Sequence, residues 1–190
     1  MLCDRVGARL QVGFNAFSAG AAGMILRNVT ATQIDILTDN HFLPSVHISR
    51  GDGTILQTFM TSHTGVMATF TQGAPQAVLG DRVAGFSSRG GTGQSLGVSK
   101  PDVTAPGVQI LAGTTPMGAT PLSGLPGQLF QAIQGTSMSS PHVAGAGAVL
   151  KALHPDWTPG QIKSALMLTA KTEGVVKEDG VTPSTPFDDG

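Results

Sequence analysis

Between Gly135 and Leu153 the sequence reads GTSMSSPHVAGAGAVLKAL, and no other stretch restricts the possible folds as much. Residues 143–150 carry no polar side chain. A helix that is apolar on one stripe rests on a surface, whereas one apolar all round needs neighbours on every face. The pattern predicts a helix over Pro141–Leu153, buried on every side. Pro141 lacks the N–H that the helix ladder uses, so the first regular turn starts there or the helix bends there.

Just ahead of that helix stand Gly135, Thr136 and Ser137. The first N–H groups of a helix have no internal acceptor and carry partial positive charge. A serine placed there can attack a carbonyl carbon while its own N–H receives the oxygen that turns negative. Glycine at position 135 has no side chain to keep a substrate backbone away. The eleven-residue run Gly135–Gly145 closely resembles the nucleophile motif of subtilisin-like serine peptidases, with Ser137 at the nucleophile's place and Gly135 and Thr136 beside the substrate. Two further segments, Phe86–Gly90 and Lys100–Gly107, resemble the core segments that precede that motif in the family, and they occur in the same order. The segment His154–Thr158, followed by a helix, also resembles the family, so the likeness covers roughly residues 67–190.

A serine hydroxyl is a weak nucleophile at neutral pH and needs a base, itself oriented by a third group. In the subtilisin order these come as Asp, His, then Ser. The family's Asp-Ser/Thr-Gly turn and His-Gly-Thr/Ser-His helix start are both missing before Ser137. Asp52 and His63 are poor substitutes: no apolar strand leads into Gly51-Asp52-Gly53, and Ser62-His63-Thr64-Gly65 reads as a polar turn. Asn15, Asn28 and Asn40 are the only asparagines, and none has the family's oxyanion setting. His142 lies five residues beyond Ser137, a spacing that does not bring two helical side chains together. It is expected as a packed, hydrogen-bonded residue outside the proton path.

The triad Asp and His are thus expected outside this chain, which reads as the carboxyl-terminal part of a catalytic domain. Met1–Arg5 resembles the middle of a strand, and Pro186–Gly190 resembles a segment that continues into a glycine-rich stretch.

Residues 1–66 read as a separate first unit, with strands at Met1–Arg5, Gly23–Asn28 and Leu43–Ile48. Helices are expected at Arg9–Ala19, with Leu10, Phe14 and Phe17 at helical spacing, and at Asp52–Ser62. Segments 3–5, 19–25 and 43–48 together resemble a protease-associated domain, a module inserted before the serine in many secreted subtilisin-like enzymes. The second unit, 67–190, is expected to hold strand pieces at Ala68–Thr71 and Ala77–Val78, a strand over Val108–Ala112, and a surface loop over Thr114–Gln128. A second helix is expected after Thr158-Pro159-Gly160-Gln161, a capping box with proline at the first helical position. The expected fold class is α/β: a partial, parallel-sheet subtilisin-like catalytic domain preceded by a small β-rich α/β protease-associated domain.

Composition sets outer limits. Net charge is −1 and charged residues make up 12% of the chain, which points away from nucleic acid and from anionic membranes. No run of about 18 apolar residues suggests a membrane span. The single cysteine, Cys3, excludes an internal disulfide and reads as a strand residue. The spacing of His41, His47 and His63 matches no zinc pattern, and Asp35 and Asp39 lack the dense acidic loop of a calcium site. No metal and no cofactor is expected for the chemistry. The resemblance implies a secreted endopeptidase acting on protein or peptide substrates, with the missing amino-terminal part of the catalytic domain as its partner. The alternative is a non-catalytic protein-binding module on a degenerate peptidase scaffold.

Overall fold

The computed structural model describes residues 1–91, 98–118, 120, 122 and 124–190. The chain divides into two compact units: Met1–Gln76 with Leu111–Ile133, and Ala77–Ile110 with Gln134–Gly190.

In the first unit, β1 (Leu2–Asp4), β2 (Met24–Arg27) and β3 (Ser45–Ile48) form a parallel sheet in the order β1-β2-β3. Cys3 faces Leu26 across one edge of β2, and Leu26 faces His47 across the other. Helix α1 (Arg9–Ser18) makes the crossover from β1 to β2. Helix α2 (Arg50–Ser62) leaves β3 through Ser49, whose hydroxyl accepts the Asp52 N–H. The core is small: Ala16, Met24, Leu26 and Leu43, with Cys3, Val12 and Ala21 packed against it.

The helices expected here are present, but α1 turns a different face inward. Gly13 and Ala16 are buried, while Phe17 is half exposed. Small residues win because the loop after β2 lies close against this face. A Cβ on Gly13 would strike the His41 ring. Phe14 and Phe17 instead meet Phe42 at the margin, at ring separations of 5.2 and 6.1 Å. Within residues 1–66 the two helices hold more residues than the three strands, so this segment is not β-rich as expected. Short parallel strands need helical crossovers, and those take up most of the chain.

The expected strand pieces at 68–71 and 77–78 have no strand partner. Phe70 instead packs on Gly23, where a Cβ would stand 2.7 Å from the ring. A pairing that the periodicity did not predict joins β4 (Ile110–Gly113) to β5 (Phe130–Ile133). The Asn40 side chain donates to Gln128 Oε1 at 2.7 Å, tying the approach to β5 to the loop after β2.

The second unit holds α3 (Thr136–Leu153), α4 (Pro159–Leu168) and the single turn α5 (Pro186–Asp189). Helix α3 begins at Thr136 rather than at Pro141 as expected, so Pro141 lies inside it. The proline leaves the Ser137 carbonyl, four residues back, without its helical donor. Contrary to the expectation of all-round burial, α3 has no buried residue, and Val149 and Leu153 are 60% and 68% exposed. Its apolar sequence asks for more neighbours than these residues supply. Helix α4 starts as expected: Thr158 Oγ1 accepts the Gln161 N–H, and Gln161 Oε1 accepts the Thr158 N–H at 2.8 Å.

Candidate active site

Ser137 occupies the second position of α3 and is exposed, as is Thr136. Gly135 caps the helix with φ 150° and ψ 165°, a conformation that only glycine adopts without strain. It turns the chain sharply into α3 and keeps the approach to Ser137 free of a side chain. The Ser137 N–H, in the first turn, has no intrahelical acceptor. The first turn of this 18-residue helix thus carries a hydroxyl and an N–H at one residue, at the helix's positive end.

The two companion segments hold that turn in place. The Gly107 carbonyl accepts the Gly135 N–H at 2.8 Å. A Cβ on Gly107 would collide with Ser139 Oγ and stand 2.9 Å from Gly135 O. Glycine is needed here for closeness, since two backbones and the first turn of α3 share the space. Gly90 is crowded in the same way against Lys100 O, and its N–H donates to Phe187 O at 2.8 Å. Arg89 reaches Asp188 at 3.1 Å and Glu178 at 2.5 Å. Asp102 pairs with Lys100 and, at 2.8 Å, with Lys163 of α4, and these hydrogen bonds hold its carboxyl below the usual carboxylate range.

The segment after α3 has a mechanical role. His154 stacks on Trp157 with ring centres 4.0 Å apart. Lys151 donates to the carbonyls of Pro155 and Trp157 at 2.6 and 2.8 Å, which turns the chain from α3 into α4. An apolar groove of about 720 Å³ lies along Val143, Ala144, Gly147, Trp157, Ile162 and Leu166. A second cavity, of about 880 Å³, touches Gly135, Thr136 and Ser139. Ser137 lines neither of these two and is exposed.

His142 is no base for Ser137. Its Nδ1 lies 2.8 Å from the Met138 carbonyl on its own helix. The histidine is hydrogen-bonded as expected but exposed, not packed. Each other candidate activator has a different task. Asp52 accepts the Ser49 hydroxyl at 2.6 Å at the start of α2. His63 stacks on Phe59 at 4.0 Å and closes the end of that helix. Asn15 accepts from Gln11, Asn40 binds Gln128, and Asn28 is buried in the first unit. His47 sits between Asn28 Oδ1 and the Leu37 carbonyl, at 2.7 and 3.0 Å, and its burial lowers its pKa.

The family model described as the subtilase family matches residues 16–183. The chain belongs to the subtilase family. Subtilisin-like protease SBT1.7 of Arabidopsis thaliana is 41% identical over the whole of this chain, which covers 26% of that protein. Subtilisin-like protease SBT1.3 of the same plant is 39% identical, again over the whole chain and 26% of the relative. Subtilisin-like protease SBT5.4 is 41% identical over 87% of the chain and 22% of the relative. This subtilase chain therefore spans about a quarter of the length of these relatives. No helix among the described residues is long and apolar enough to cross a membrane. The sequence reasoning missed the bracing role of Gly107, for which the only signal was a glycine in a segment already resembling the family.

Proposed function

We propose that this chain is the carboxyl-terminal part of the catalytic domain of a secreted subtilisin-like serine endopeptidase, with Ser137 as its nucleophile. Ser137 Oγ attacks the peptide carbonyl as its proton passes to a histidine supplied by the amino-terminal portion of the domain, which an aspartate orients. The Ser137 N–H, together with an asparagine from that portion, receives the oxyanion. The histidine returns the proton to the departing amine, and water then releases the acyl group. Gly135 and Thr136 lie beside the substrate backbone. Residues 1–66 act as a protease-associated module ahead of the 67–190 portion. The chain by itself is catalytically silent, because His47, His63, His142, His154 and the Asp52 carboxylate are engaged with other partners, and His41 packs against Gly13 of α1.

The observation that carries this reading is an exposed serine in the first turn of α3, behind a glycine at φ 150°. The uncovered apolar faces of α3 support a missing partner segment. A fluorophosphonate probe tests it. The isolated chain should label slowly or not at all. Adding the complementary amino-terminal portion of a related subtilase should bring stoichiometric labelling at Ser137 and peptide hydrolysis. Rapid labelling of the isolated chain, or labelling elsewhere after complementation, would refute the assignment.

A further inference from the structure

Asn28-Val29-Thr30 is an Asn-x-Thr acceptor sequence for N-linked glycans, which in secreted proteins belongs on surface loops. Here Thr30 is exposed but Asn28 is 1% exposed. Both hydrogens of its amide nitrogen are engaged, with the carbonyls of Gln33 at 2.7 Å and Asp35 at 3.2 Å. Its Oδ1 accepts from Arg5 at 3.1 Å and faces His47 Nε2 at 2.7 Å. The Asn28 side chain is thus the hub that joins the residue after β1, β3 and the loop after β2. Gln33 closes the same loop, its Oε1 accepting the Val29 and Thr30 N–H groups at 2.7 and 3.2 Å.

We propose that Asn28 is a glycan acceptor only while the first unit is unfolded, so that glycan attachment and folding of the β1-β2-β3 sheet exclude each other. Transfer from a lipid-pyrophosphate-linked oligosaccharide forms a bond from the amide nitrogen to the sugar's anomeric carbon. The nitrogen loses one proton and the lipid pyrophosphate departs. The modified nitrogen keeps one hydrogen and carries a bulky polar group, so it can no longer serve both carbonyls inside a buried pocket. A buried hub that loses its partners leaves Oδ1 contacts, two carbonyls and the Arg5 guanidinium without their arrangement. Whether a molecule takes the glycan depends on which event comes first. The biological setting rests on the secretion reading above, but the chemistry and its test do not depend on peptidase activity.

Purified oligosaccharyltransferase and a lipid-linked oligosaccharide would be given the full chain made in bacteria and, separately, a peptide of residues 22–36. The peptide should be modified readily, and the chain about a hundredfold more slowly, in step with its rare opening. His47→Ala, which removes one partner of Asn28, should move the chain's rate toward the peptide's. Hydrogen exchange followed by mass spectrometry would then compare modified and unmodified chains. Unmodified molecules should protect residues 24–48 and modified ones should not. Modified molecules with a protected sheet would overturn the proposal. So would an unreactive peptide, or a chain that is unprotected and modified at the peptide's rate from the outset.

Discussion

The Gly135 N–H donates to the Gly107 carbonyl at 2.8 Å, and the Gly107 α-carbon sits where a Cβ would meet Ser139 and Gly135 O. The turn that leads into Ser137 is thereby clamped by a segment distant in sequence, which a glycine allows to approach closely. Gly107→Ala should destabilise the second unit by about 1–3 kcal/mol, the usual cost of overpacking. Urea unfolding should show a lower midpoint, and a complemented subtilase carrying the change should label more slowly at Ser137.

Ser137→Ala should leave stability within about 0.5 kcal/mol, because the side chain is exposed and removes no core packing. The same change should abolish fluorophosphonate labelling and peptide hydrolysis once the amino-terminal portion is present. A thermal melt and a labelling gel on one preparation check both halves.

His142→Ala removes only the contact with the Met138 carbonyl. The expected loss is about 0.5–1.5 kcal/mol of stability, with the pH–rate profile of the complemented peptidase unmoved. An unchanged melting temperature with lost activity would place His142 in the proton path.

Thr158 forms both halves of a capping box with Gln161 at the start of α4. Thr158→Ala should cost about 1 kcal/mol. Amide exchange of residues 159–162 should rise more than that of α3.

Burial pushes the pKa values of His41 and His47 below their ordinary 6.5. Above pH 6.5 both are neutral whether the chain is folded or unfolded, so they make no pH-dependent difference. As pH falls through 6.5 the unfolded chain takes up protons that the folded one refuses, and stability drops until the lowered native pKa values are passed. Protection of residues 24–48 should therefore weaken on acidification from pH 7 to 5. His47→Gln should flatten that slope, as read by exchange at several pH values.

Local chemistry alone determined several features. Thr158-Pro159-Gly160-Gln161 starts α4 because its hydrogen bonds lie within four residues, and the three strands of the first unit follow from short apolar runs between turn residues. The residues around Gly135 single out Ser137 as the candidate nucleophile, and those before it lack the family's Asp-Ser/Thr-Gly and His-Gly-Thr/Ser-His patterns. Tertiary structure decided what depends on residues far apart in sequence. Gly13 and Ala16, not Phe14 and Phe17, face the core because His41 crowds that side of α1. Pro141 sits inside α3, because one missing donor does not stop a helix whose start is fixed by Gly135 and Gly107. Asn28 stands in an Asn-x-Thr sequence, and only the convergence of Arg5, Gln33, Asp35 and His47 buries it. Local periodicity records which faces are apolar, whereas which neighbour reaches them is set by contacts that sequence spacing does not encode.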